Sequence, residues 1–228
     1  MNVAIIVAAG RGARMGGGRA KQFRALAGVP VIVHTLRRFE QCETIERCVV
    51  VAPADAAETL RALLARHGLR KVAGVVAGGA TRTDSVARGL AQLPAADVNV
   101  VAVHDGVRPF VTPAEIDRAV RAADEAGAAL LVAPVVDTIK ELAGGRVART
   151  LARDTLRRAL TPQCFRRDLL ARAYAQARAE GLDATDDSAL VERLGVPVVA
   201  VEGDPRNIKL TRPADFALAE ILAREFER

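Results

Sequence analysis

Uninterrupted apolar runs and apolar stripes at helical spacing take turns along this chain, and the alternation predicts its architecture. Val3-Ala4-Ile5-Ile6-Val7 shows no polar alternation, the pattern of a strand buried on both faces. Comparable runs predict strands at 3–8, 47–52, 72–77, 98–104 and 129–133, with helical stretches near 31–41, 54–68, 83–92 and 113–126 between them. Strands joined through helical crossovers specify the α/β class: a mostly parallel sheet with helices on both faces. Thr112-Pro113-Ala114-Glu115 places a cap, a first-turn proline and an early acid where the helix of 113–126 begins.

After Pro134 the rhythm changes. Val135-Val136-Asp137-Thr138-Ile139-Lys140-Glu141-Leu142, a Gly144-Gly145 turn and Arg146-Val147-Ala148-Arg149-Thr150-Leu151 alternate as two strands of a hairpin. A ribbon projecting from an α/β body has unpaired edges and little core of its own, so 135–152 reads as an arm that docks on a second copy. A homodimer is the expectation; a flap over the chain's own site is the alternative. Helices near 165–180, 186–194 and 213–227 and a strand near 198–201 complete a chain read as one domain over 1–228.

With 228 residues, half of them hydrophobic, the chain is long enough for a full core. Thirty-three Lys and Arg against 27 Asp and Glu give a net charge of +6, spread along helices rather than run in blocks, which suits a small anionic substrate. Three per cent aromatics offers few stacking platforms, and no nucleic-acid module is recognisable, so nucleic acid is not expected as a partner. Cysteines 42, 48 and 164 form no C-x-x-C pair and no metal-ligand spacing, which points to a reducing, cytoplasmic setting without a disulfide framework. The first strand starts at once, leaving no room for an export leader, and no apolar run reaches membrane-spanning length, so no membrane association is expected.

Candidate chemistry begins where the first strand ends. Ala8-Ala9-Gly10-Arg11-Gly12-Ala13-Arg14-Met15 and the glycines that follow it, up to Arg19-Ala20-Lys21, let backbone N–H groups approach an anion while Arg14 and Lys21 add fixed charge. A dinucleotide fingerprint needs glycine where Met15 stands, and a Walker A loop needs Gly-Lys-Ser/Thr where Gly18 precedes Arg19. The loop is therefore a different phosphate-binding type. A second group, His104-Asp105-Gly106-Val107-Arg108-Pro109, follows a strand and faces the crevice where α/β sheets bind ligands; Gly106 is expected to keep that crevice clear. His104 reads as a structural hydrogen-bonder rather than a base. A third, Gly78-Gly79-Ala80-Thr81-Arg82-Thr83-Asp84-Ser85, opens a helix: Gly79 and Arg82 are candidates for ligand contact, while Asp84 and Ser85 serve equally well as capping residues.

Further segments complete an ordered set: Asp137-Thr138-Ile139-Lys140, Arg153, Ala159-Leu160-Thr161-Pro162-Gln163, Thr185-Asp186-Asp187 and Asn207-Ile208-Lys209-Leu210-Thr211. Together with the first loop they resemble the 2-C-methyl-D-erythritol 4-phosphate cytidylyltransferases of the non-mevalonate isoprenoid pathway, over almost the whole chain. The resemblance implies a Rossmann-like nucleotidyltransferase domain that moves CMP from CTP to a polyol phosphate with Mg²⁺ carried mainly by the triphosphate. It implies Arg14, Lys21, Arg153 and Lys209 as the catalytic cations. Ala8, Ala9, Gly10, Gly12, Gly79, Arg82 and Ser85 fall on the CTP side, and Asp105, Arg108, Thr138 and Thr161 on the acceptor side. Thr138 and Arg153 would reach the site of the neighbouring subunit, while Thr185-Asp186-Asp187 caps the next helix.

Ala20 replaces the proline often found before the lysine, and Gly106-Val107 stands where many relatives have Ala-Ala. Ribitol 5-phosphate cytidylyltransferases share the first loop, but Ala159-Leu160 before Thr161-Pro162-Gln163, rather than Gly-Gln, favours methylerythritol phosphate. Ribitol 5-phosphate as acceptor, and a sensor that binds CTP without turnover, are the alternatives.

Overall fold

The computed structural model describes residues 1–10 and 20–226. In chain order the strands are β1 (Val3–Val7), β2 (Ala25–Leu26), β3 (Val29–Pro30), β4 (Arg47–Ala52), β5 (Val72–Ala77), β6 (Val100–Asp105), β7 (Ala128–Pro134), β8 (Lys140–Ala143), β9 (Arg146–Thr150), β10 (Arg157–Arg166) and β11 (Val199–Glu202). The helices are α1 (Val31–Gln41), α2 (Ala57–Arg66), α3 (Arg82–Ala91), α4 (Pro113–Ala126), α5 (Arg167–Ala179), α6 (Ser188–Glu192) and α7 (Pro213–Phe226).

Among the described residues one sheet takes the order β11-β7-β10-β6-β1-β4-β5, parallel throughout except for β10. Strand pleating divides β1 between two cores. Ala4 and Ile6 pack with Ile32, Leu36, Phe39 and Ile116 on one face; Val3 and Ile5 pack with Val86, Leu90, Leu170 and Tyr174 on the other. Burying such a side chain contributes about 1.5–3 kcal/mol, and this double burial is why β1 tolerates no polar residue. A third, smaller cluster collects Leu26, Val31, Val107, Phe110 and Leu210 against Phe216, Ala219, Leu222 and Ala223 of α7. The start of α4 is capped as its sequence predicts: Thr112 accepts from the Glu115 N–H and the Glu115 carboxylate accepts from the Thr112 N–H.

β10 lies where the apolar pattern predicts no strand. It inserts antiparallel between β7 and β6 although Pro162 has no N–H for a ladder. The pairing resolves this by a register shift: Ala159 faces Val132 and Gln163 faces Leu130, which leaves Leu160-Thr161-Pro162 bulged. Downstream of β7 the predicted ribbon is present. Among the described residues β8 and β9 pair only with each other, around Gly144 and Gly145 at φ 56° and 76°, and all their residues are exposed. Among the described residues no helix is long and apolar enough to cross a membrane.

Candidate active site

The strand order reverses at β1. The chain lays β4 and β5 on one side of it, then crosses back to place β6 on the other, so a crevice opens outside the carboxyl ends of these strands. The last backbone bonds hold the loops in place: Ala8 N–H donates to Val51 O at 2.7 Å, Gly78 N–H to Ala52 O at 2.8 Å and Gly106 N–H to Val7 O at 2.9 Å. Beyond them lies a cavity of about 640 Å³, lined by Ala8, Ala9, Gly10 and Lys21, by Gly79, Arg82 and Ser85, and by Asp105 and Lys209. Among the described lining residues, Lys21, Arg82 and Lys209 oppose a single carboxylate, Asp105, which favours an anion. A smaller cavity of about 220 Å³ shares Arg82, Asp105 and Lys209 with it and adds Arg108 and Thr161.

Close packing explains the small residues. A Cβ on Gly78 would stand 2.4 Å from the Ala9 Cβ, and one on Gly79 would stand 2.2 Å from the Asp84 Cβ. The same test corrects the expectation for Gly106. Its missing side chain makes room for Ile32 Cδ1, 2.8 Å from the hypothetical Cβ, and for Ala8 at 3.1 Å, so it serves packing beneath the loop rather than ligand clearance. Thr81 and Asp84 form a capping box at the start of α3. Ser85 is buried, accepting from the Gly79 N–H at 3.1 Å and donating to Thr81 O at 2.8 Å, so it shapes the loop that lines the cavity.

Asp105 is the electrostatic hub. Lys209 Nζ lies 3.0 Å and Arg108 Nε 3.2 Å from its Oδ2, and Arg82 Nε lies 3.8 Å from Oδ1. Burial alone would raise the Asp105 pKa; Lys209, Arg108 and Arg82 together hold it well below the usual carboxylate range. Arg108 is fixed further by donating to Asn207 O at 2.8 Å. Arg82 makes a bidentate pair with fully buried Asp187 at 3.0 and 2.7 Å, and Tyr174 donates its hydroxyl to the same carboxylate. Asp187 is therefore an ion-pair partner of a cleft arginine; within the predicted capping segment it is Asp186 that accepts from the Ala189 N–H at 3.0 Å.

The β10 bulge aims Thr161 inward. Its hydroxyl accepts from the Asp105 N–H at 3.2 Å and lies 3.0 Å from His104 Nδ1, while His104 Nε2 lies 3.2 Å from Arg108 O. One proton arrangement satisfies all three: the hydroxyl donates to Nδ1 and the Nε2–H donates to the carbonyl. Complete burial pushes the His104 pKa down to about 4, so the ring is neutral and structural, as its sequence position suggests.

The structure thus brings together Ala8, Ala9, Gly10, Lys21, Gly79, Arg82, Ser85, Asp105, Arg108, Thr161 and Lys209. Gly12 and Arg14 lie outside the described residues. Thr138 and Arg153 line neither cavity: Thr138 is exposed at the base of the ribbon, and Arg153 is exposed with its guanidinium donating to Val136 O at 3.0 Å. Sequence reasoning missed Gln22, whose buried amide donates to Ala8 O at 2.7 Å and Gly10 O at 3.3 Å and so ties the Lys21 turn to the first loop. The signal was its place beside Lys21. Among the described residues no three His, Cys, Asp or Glu side chains are grouped to hold a metal.

Residues 2–225 match the family model described as 2-C-methyl-D-erythritol 4-phosphate cytidylyltransferase (IspD). A protein of that description from Pelotomaculum thermopropionicum is 46% identical over 224 residues, 97% of this chain and 93% of the relative. The crystal structure of the 2-C-methyl-D-erythritol 4-phosphate cytidylyltransferase from Thermus thermophilus superposes with a TM-score of 0.78 at 38% identity, covering 98% of this chain and 100% of that one. A 4-diphosphocytidyl-2C-methyl-D-erythritol synthase from Anaerococcus prevotii gives a TM-score of 0.85 at 29% identity, covering 98% and 96%.

Proposed function

The chain belongs to the 2-C-methyl-D-erythritol 4-phosphate cytidylyltransferase family and carries out CTP-dependent cytidylyl transfer in the methylerythritol phosphate pathway, and from that premise we propose how its residues divide the work. CTP occupies the larger cavity, with Ala8, Ala9 and Gly10 against its phosphates and the Gly79–Ser85 loop against the nucleoside; Gly12, outside the described residues, belongs to the same phosphate-binding loop in sequence. The acceptor's phosphate lies toward Arg108, Thr161 and Lys209, with Asp105 available to a polyol hydroxyl.

The acceptor phosphate is already ionised at neutral pH and needs no general base. One of its oxygens bonds to the α-phosphorus as the bond from that phosphorus to the bridging oxygen breaks, and the electron pair leaves on pyrophosphate. The obstacle is the approach of two polyanions, so catalysis falls to cations. Lys21, with Arg14, stabilises charge growing around the α-phosphorus; Lys209 leaves Asp105 for the acceptor phosphate. Magnesium carried in with the triphosphate would supply charge screening, and among the described residues lining the larger cavity Asp105 is the carboxylate that could help to hold it.

Thr138 and Arg153 enter through the neighbour. Their exposure in this chain, on and beside a ribbon with Leu142 and Val147 facing solvent at 63% and 59%, supports an arm that completes the site of a second copy in a cytoplasmic homodimer. The observation that carries the proposal is the meeting of Lys21 and Lys209, distant in sequence, on one cavity that Ala8, Ala9 and Gly10 also line. Pyrophosphate release tests it. CTP with 2-C-methyl-D-erythritol 4-phosphate and Mg²⁺ should give turnover that collapses with chelator or with other nucleotides; better turnover of ribitol 5-phosphate, or CTP binding without acceptor-dependent release, would overturn it.

A further inference from the structure

Three segments that carry cleft residues end in the same small apolar cluster. Leu26 and Val31 follow Lys21, Val107 and Phe110 flank Arg108, and Leu210 follows Lys209, all packed on one face of α7. Two further contacts bind α7 to the Lys21 segment alone. Arg24 lays its guanidinium over the Phe216 ring at 4.5 Å, and both carboxylate oxygens of Glu220 accept from the Ala27 N–H at 3.2 Å.

Ala27 is where this attachment matters. It is the first central residue of the two-residue turn between β2 and β3, at φ 47°, followed by Gly28 at φ 78°. Among the described residues it alone combines a side chain with a positive φ. Hairpin turns with both central residues left-handed favour Asn-Gly, because an alanine Cβ there crowds the following carbonyl oxygen. Such a conformation persists only where its surroundings hold it, and the Glu220 carboxylate accepts from the strained residue's own N–H at the protein surface. The strain is one short step from the chemistry. Val31 N–H donates to Arg24 O at 3.0 Å, closing the hairpin, and Arg24 N–H donates to Lys21 O at 3.2 Å, joining the hairpin to the helical turn that presents Lys21.

We propose that Glu220 is a positioning residue for cytidylyl transfer: it holds the Ala27–Gly28 turn against α7 and thereby sets where Lys21 enters the cleft, without touching substrate. This rests on Lys21 acting on the transition state. Because misplacement of an oriented group acts on turnover, Glu220→Ala should lower kcat about tenfold while the Kd for CTP stays within about twofold. Glu220→Gln, which keeps one acceptor oxygen, should fall between it and the parent. Ala27→Gly should restore most of the lost kcat to Glu220→Ala, since glycine adopts the turn unaided. On Lys21→Ala, Glu220→Ala should add no further loss, whereas a general loosening of the fold would multiply through.

An unchanged kcat in folded Glu220→Ala, a loss that glycine at 27 does not repair, or a loss that stacks on that of Lys21→Ala would each overturn the role of Glu220. If Lys21→Ala itself keeps full kcat, the reading of Lys21 fails, and a loss in Glu220→Ala then has another origin. If Lys21→Ala is impaired and Glu220→Ala is not, only the positioning role fails.

Discussion

At the carboxyl edge of the sheet Asp105 is shared among Arg82, Arg108 and Lys209, Asp187 is closed by Arg82 and Tyr174, and the loop backbones are bonded to strand ends. The ribbon after Pro134 is the reverse: Val136, Leu142 and Val147 are 77%, 63% and 59% exposed, and among the described residues its strands pair only with each other. The cleft is ordered by contacts within one chain, while the ribbon leaves apolar side chains at the surface, with the exposed Arg153 beside it bonded to Val136 O. The difference teaches what the proposed division of work asks of each region: Lys21 and Lys209 line the cavity of their own chain, whereas Thr138 and Arg153 would serve the site of a second copy.

The strongest way to break this comparison is at the cleft. Lys21→Ala should lower kcat about 10²–10³-fold with little change in the Kd for CTP, the signature of charge aimed at a transition state; equal losses in both would make Lys21 a simple binding group. Asp187→Ala leaves the part-buried Arg82 guanidinium without its bidentate partner and the buried Tyr174 hydroxyl without its acceptor. Urea unfolding should show a loss of about 3 kcal/mol, and a loss near zero would mean that the cleft does not depend on that pair.

The arm should behave differently. Leu142→Asp with Val147→Asp should convert a dimer to a monomer by light scattering and reduce kcat/KM for the acceptor about tenfold, while the melting temperature of the body barely moves. A dimer that survives both changes has another interface.

The smallest effect sharpens the cleft side. His104 carries a pKa lowered to about 4, so the unfolded chain binds the extra proton between that value and its ordinary 6.5. Stability from this group is complete above the ordinary value and is lost as pH falls through that window, by at most about 1.4 kcal/mol per pH unit. His104→Gln should flatten that slope in thermal melts; an unchanged slope would place the titration elsewhere.

The parallel strands, α1, α3 and α4, the capping box at Thr112 and the ribbon are legible in the sequence because each repeats a local period or a local cap. β10 is not, because Arg157, Arg158 and Pro162 break the apolar run, and only the register shift between Ala159 and Gln163 accommodates Pro162 within the ladder. Within the site, Ala8 to Gly10, Lys21, Asp105, Arg108 and Lys209 are legible as small or charged residues directly after strands or in a matching segment. Asp187, Gln22 and Glu220 are not: each acts through a partner distant in the chain or in the backbone, respectively Arg82, Ala8 O and the Ala27 N–H. Gly106 illustrates the remaining kind of miss, where the residue is singled out correctly and the neighbour that needs its smallness, Ile32, is invisible until the fold is known.

The central claim, that a cleft aimed by one chain is completed by the neighbour's arm, is tested most directly by subunit mixing. Lys21→Ala and Arg153→Ala homodimers should each be nearly inactive, and co-expressed heterodimers hold one site with both changes and one with neither. Random pairing then predicts recovery of about a quarter of the parent turnover. Heterodimers no more active than the two separate variants would show that Lys21 and Arg153 serve the same chain, and the account would be contradicted.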